Sequence, residues 1–153
     1  MSFHWNQMPH RFGMFGVAEE VRPQYFVYQM ISRLGANRVR ASSDAEDVRI
    51  VASSDEHREN VSLIIVNYGL PVSQERIATL RFSGLKPGSK RLSTYRVDRS
   101  AKWSGEQLAL LQIENREVET ERDFSCQVYC PADSIGLVML EHHEEPTVRP
   151  MRH

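Results

Sequence analysis

A chain of 153 residues, 41% hydrophobic and 25% charged, has the make-up of one globular domain with its own core, not of a disordered segment. Nineteen basic residues against twenty acidic ones leave a net charge of −1, so there is no positive field for non-specific phosphate binding and nucleic acid is not an expected partner. No apolar run approaches the roughly 20 residues a bilayer span needs, so a membrane partner is not expected either.

Residues 1–22 read as an irregular, apolar N-terminal segment. Pro9, Gly13 and Gly16 interrupt any period. Phe3, Trp5, Phe12, Met14 and Phe15 are large apolar groups that need a covering surface, within this chain or on a partner. No charged leader followed by an apolar stretch opens the chain.

Residues 23–35 read as a helix. Pro23 suits the first helical position, and Val27, Ile31 and Leu34 share a face flanked by Tyr28 and Met30. Gly35 is expected as a left-handed cap.

Residues 36–141 turn to strands separated by Gly, Pro and polar clusters. Val39–Ser42, Asp47–Ser53, Val61–Tyr68, Arg76–Ser83, Arg91–Asp98, Phe124–Cys130 and Ile135–Glu141 carry β-forming or alternating patterns. The near-continuous apolar run of Val61–Tyr68 marks a central strand. Glu114–Asp123 is so charged that it reads as a solvated loop or an edge strand. Residues 142–153, with Pro146 and Pro150, read as a flexible tail. About seven to eight strands, at roughly ten-residue spacing and with no helices between them, predict a mainly all-β fold: an antiparallel sandwich with one N-terminal helix.

Cys126 and Cys130 are the two cysteines. Four residues apart on one strand, they lie about 13 Å from each other, too far to bridge. They read as small apolar groups on one strand face. Unpaired thiols and the absence of a leader lean towards the cytoplasm.

No arrangement of catalytic groups stands out. The acidic residues lie in charged runs without an apolar setting that would raise a carboxyl pKa. His142 and His143 are adjacent, so an extended chain points them apart, and no metal spacing appears. Neither a Gly-x-Ser-x-Gly elbow nor a glycine-rich phosphate loop occurs. The expectation is no catalytic residue, no metal and no cofactor. Trp103, Tyr95 and Tyr129 are the aromatics best placed to stack on a sugar, although Trp103 could equally close one end of the core.

The stretches Arg11-Phe12-Gly13-Met14-Phe15-Gly16, Arg22-Pro23-Gln24-Tyr25-Phe26-Val27-Tyr28-Gln29 and Ile31-Ser32-Arg33-Leu34-Gly35, followed by Ser62-Leu63-Ile64-Ile65-Val66-Asn67-Tyr68, resemble the end of the catalytic barrel and the C-terminal β-sandwich of clan A glycoside hydrolases, families 39 and 51 above all. In those enzymes the two catalytic glutamates lie on barrel strands upstream of the matched region, and the acid/base glutamate follows an asparagine. No Asn-Glu dipeptide occurs here. The resemblance therefore implies a non-catalytic accessory sandwich that supports or docks on a catalytic barrel. A carbohydrate-binding module taking an oligosaccharide, and a protein-interaction or self-associating sandwich, are the alternatives.

Overall fold

The computed structural model describes Met14, residues 21–99 and residues 109–143. Its elements are one helix, α1 (Pro23–Ile31), and eight strands: β1 (Asn37–Val39), β2 (Val48–Ser54), β3 (Val61–Asn67), β4 (Arg76–Ser83), β5 (Gly88–Val97), β6 (Gln112–Thr120), β7 (Asp123–Cys130) and β8 (Ser134–His142). Six strands form one sheet in the order β1-β2-β3-β8-β5-β6, and β4 pairs with β7 in a two-stranded ribbon. Every pairing is antiparallel. The fold is the expected mainly all-β antiparallel sandwich with one N-terminal helix.

The large sheet is covered on both faces. On one side Leu63, Ile65, Leu92, Val138 and Leu140 meet Leu80, Cys126 and Cys130 of the ribbon. On the other, Ile64 and Leu137 meet Phe26 and Met30 of α1, together with Val21 and Leu110. Burial on two faces is why β3 and β8 are apolar at almost every position, where a half-solvated strand would alternate. The ribbon shows that alternation: Phe124, Cys126, Val128 and Cys130 all turn to the core. Both thiols are free and buried.

Three local expectations change. First, the helix buries Phe26 and Met30, whereas Ile31 is 48% exposed. Its sequence is apolar nearly all round, so periodicity does not choose a face. The sheet chooses it. Second, the helix stops at Ile31, followed by a right-handed Ser32 cap and tighter turns from Arg33 to Met30 and from Leu34 to Ile31. Gly35 is not left-handed. It is needed for space, because a Cβ there would stand 2.4 Å from the Ser54 carbonyl oxygen. Third, the first strand is Asn37–Val39 and not Val39–Ser42, since its register runs Asn37 to Ser54 and Val39 to Ala52. The charged stretch, read as a solvated loop or an edge strand, is the latter: it is β6, bonded only to β5. Its charges discourage pairing with another chain.

His142 completes β8, and just beyond it the His143 N–H donates to the Ser89 carbonyl at 3.2 Å.

Candidate functional site

The two-stranded ribbon is narrower than the sheet beneath it. Along the β7 side this mismatch leaves a cleft of about 310 Å³, floored by Ile65, Thr94 and Val138 and rimmed by Arg96, Glu114, Gln127 and Tyr129. Gly136 keeps the floor open, since a Cβ there would press on Ile65 Cγ2 at 3.1 Å.

The rim is organised around Arg96 and Tyr129. Arg96 lies 2.5 Å from the Asp98 carboxylate, whose side chain is almost wholly buried, and its guanidinium sits 5.6 Å from the Tyr129 ring centre. The Tyr129 hydroxyl donates to Glu75 at 2.6 Å, and this bond to a carboxylate pushes the phenol's pKa up. Tyr129 is 47% exposed. Burial likewise pushes the Cys130 thiol up, so it is protonated and unreactive at neutral pH. The rim offers an aromatic face, a guanidinium and an amide. These are groups of the kind that line ligand clefts.

Below the cleft, Asn67 fastens the end of β3. Its side-chain amide N–H groups face the carbonyls of Gln74, Cys130 and Pro131 at 2.7, 3.0 and 2.9 Å, and the residue is completely buried. This fixes the ends of the ribbon, and with them Glu75 and Tyr129.

A second concavity, about 570 Å³, lies at the opposite edge of the sheet beside β1. Arg38, Arg40 and Arg58 line it together with Glu56, over Val61 and Leu85. The turn between β2 and β3 that carries Arg58 is held from several sides. The Asp55 carboxylate accepts from the Glu59 N–H at 2.8 Å and from Asn60 Nδ2 at 2.9 Å. Burial alone would raise the Asp55 pKa, but the hydrogen bonds from Asn60 and Glu59 outweigh it and hold the carboxyl below its ordinary value. Lys90, itself fully buried, donates to the Glu59 carbonyl at 2.6 Å.

Of the aromatics singled out in sequence, Tyr129 is at the cleft. Tyr95 borders it, but alternation along β5 turns its ring to the α1 side, where the Arg33 guanidinium stacks 4.7 Å from its centre. The two tyrosine rings do not share a face. Trp103, Phe3, Trp5, Phe12 and Phe15 lie outside the described residues. Met14 is half-buried, and its carbonyl accepts from the Arg22 N–H at 2.8 Å. Sequence reasoning missed the three arginines and the exposed apolar loop Tyr68–Val72, in which Leu70 and Val72 are 81% and 76% exposed. Two aliphatic residues flanking Pro71 in a loop were the available signal. Among the described residues no group of three His, Cys, Asp or Glu side chains could hold a metal ion, and no helix is long and apolar enough to cross a membrane.

No protein-family model matches the sequence, and no curated protein matches it. Solved structures do. A monomeric beta-xylosidase from Caulobacter crescentus is 15% identical, with a TM-score of 0.70 over 88% of this chain and 34% of its own. A glucosidase from Croceicoccus marinus is 16% identical, with a TM-score of 0.70 over 93% of this chain and 35% of its own. A GH39 enzyme from Xanthomonas axonopodis pv. citri is 14% identical, with a TM-score of 0.65 over 85% of this chain and 32% of its own. The chain thus spans about a third of the length of the structures it matches, and the likeness is one of fold.

Proposed function

We propose that the chain is a non-catalytic accessory β-sandwich of a glycoside-hydrolase-like protein, a structural unit that docks on a catalytic barrel. One observation carries this reading: 93% of the chain matches the Croceicoccus marinus glucosidase, yet only 35% of that enzyme takes part. A unit that corresponds to a third of a glycosidase fits an appendage to the part doing the chemistry. The absence of an Asn-Glu dipeptide supports it. So does the loop bearing Tyr68, Leu70 and Val72, continued by exposed Ile77 on the ribbon. Apolar groups so exposed mark an interaction surface. The segment holding Phe3, Trp5, Phe12, Met14 and Phe15 is a second candidate for docking or self-association.

The test is turnover of aryl xylosides and glucosides by the purified chain, alone and added to a β-xylosidase trimmed of the matching third. No turnover alone, with a raised melting temperature for the trimmed enzyme, is the expected result. Turnover by the chain alone would overturn the non-catalytic reading.

A second reading is favoured by the exposed Tyr129 ring on the cleft: the domain binds a neutral oligosaccharide there. Sugar rings stack on such faces and hydrogen-bond to groups like Arg96 and Gln127. Saturable NMR shifts around Tyr129 with xylo-oligosaccharides, lost in Tyr129→Ala, are its signature.

A further inference from the structure

The groove beside β1 carries chemistry that neither reading uses. Three exposed arginines, Arg38, Arg40 and Arg58, are among the residues lining it, with Glu56 the one acidic residue there. Among the described residues these three arginines make no ion pair, while Arg76, Arg96, Arg99 and Arg116 are each matched with a carboxylate. An arginine fork left open beside a concavity is suited to a carboxylate, which it can grip with two parallel hydrogen bonds.

The groove is also built to hold its shape. Arg58 sits at φ 56°, in the left-handed region that side-chain-bearing residues seldom occupy. Strain of this kind persists where the surroundings over-determine it. Here the Asp55 carboxylate, the Lys90 ammonium and the Asn60 side chain do so, the last accepting from the His142 N–H at 2.7 Å. The turn is therefore fixed before any ligand arrives. Val39, Val61 and Leu85 give the groove an apolar side, and about 570 Å³ falls within the range of ligand sites.

We propose that this groove binds an anionic oligosaccharide, with Arg38, Arg40 and Arg58 taking the carboxylates of uronic-acid units and the apolar side taking the sugars' C–H faces. The sugar half of the inference rests on the glycosidase reading above. The anionic half rests on the arginines. A polyphosphate chain is disfavoured, because the net charge of −1 gives no extended positive track beyond the groove.

The experiment is an NMR titration of the whole chain with a 4-linked oligogalacturonate, with a neutral xylo-oligosaccharide of equal length, and with free acetate. The expected result is saturable shifts at residues 37–40 and 54–58 with the oligogalacturonate alone, weakened as salt is raised from about 50 to 300 mM. Each single Arg→Gln change at 38, 40 or 58 should weaken binding by about tenfold, while Arg81→Gln, on the ribbon, should not. Melting curves verify that the variants fold. No saturable shift at millimolar oligogalacturonate, equal shifts with the neutral sugar, or equal shifts with acetate would each overturn the proposal. Failure of the accessory-domain reading shows elsewhere, as turnover by the isolated chain, so the two outcomes stay separate.

Discussion

Lys90 Nζ donates to the main-chain carbonyl of Glu59 at 2.6 Å, from a side chain that is only 1% exposed. A charge so buried is retained only with partners, and here it has that carbonyl and the nearby Glu59 and Asp55 carboxylates. Desolvation nevertheless prevails and lowers the lysine's pKa below its ordinary 10.5. An unfolded chain then binds more protons than the folded one between the depressed value and 10.5, so this group's contribution to stability rises with pH across that window. Lys90→Met keeps the stem, leaves the carbonyl without its donor, and should cost about 1–2 kcal/mol at neutral pH. The gap between wild type and Lys90→Met should widen as the pH climbs towards 10.5, read by urea denaturation at several pH values. A gap independent of pH would mean that Lys90 has an ordinary pKa.

Gly35 and Gly84 separate two reasons for a glycine. At Gly35 a Cβ would meet the Ser54 carbonyl oxygen at 2.4 Å and its carbon at 2.5 Å, both main-chain atoms that cannot swing away. Gly35→Ala should therefore cost about 2–3 kcal/mol, as overpacking does. At Gly84 nothing lies within 4 Å, and only the φ of +76° resists a side chain. Gly84→Ala should cost about 1 kcal/mol. Thermal melts of the two variants, with Gly35→Ala falling further, test the distinction.

Asn67 is chosen for its N–H groups. Three carbonyl oxygens, from Gln74, Cys130 and Pro131, surround its amide nitrogen. Asn67→Ala should destabilise by about 2–3 kcal/mol through orphaned carbonyls and a small cavity. Asn67→Asp should be worse at pH 7 despite its matching size, because a carboxylate would face three oxygens, and it should recover in part when acidified. Denaturation midpoints of the two variants at pH 7 and pH 5 decide this.

The Cys126 and Cys130 thiols are both pushed up by burial, with Glu114 adding to the effect at Cys126. Their contribution to stability is complete below the ordinary thiol value of 9.0 and is lost as pH rises through the higher folded values. Native chain should react only slowly with a disulfide reagent at pH 8, and two thiols per chain should react at once in denaturant. Fast reaction of the native chain would show that the ribbon opens readily.

Most of the strands were legible because burial writes itself as a pattern. The alternation of Phe124, Cys126, Val128 and Cys130 marked β7, the span Arg76–Ser83 matches β4 residue for residue, and the apolar run from Val61 marked a central strand. β6 was legible only as a loop or an edge strand, because Glu114, Arg116 and Glu117 appear on a strand that buries only Val118 and Thr120. The helix was legible as an element but not by face, since Phe26 and Val27 are equally apolar and the sheet alone selects Phe26.

The order of apolar, polar and turn-forming residues by itself determined the class of fold, because hydrophobic periodicity is local and an antiparallel sandwich follows from short strands without crossover helices. Only the tertiary structure decided where ligands or partners could sit. The cleft exists because a ribbon of two strands covers a sheet of six. The arginine groove exists because β1–β2 pairing and the layering of the ribbon bring residues 38–40, 54–61 and 83–85 to one edge. Concave sites are made by side chains distant in the chain, and no period along the sequence encodes which of them meet.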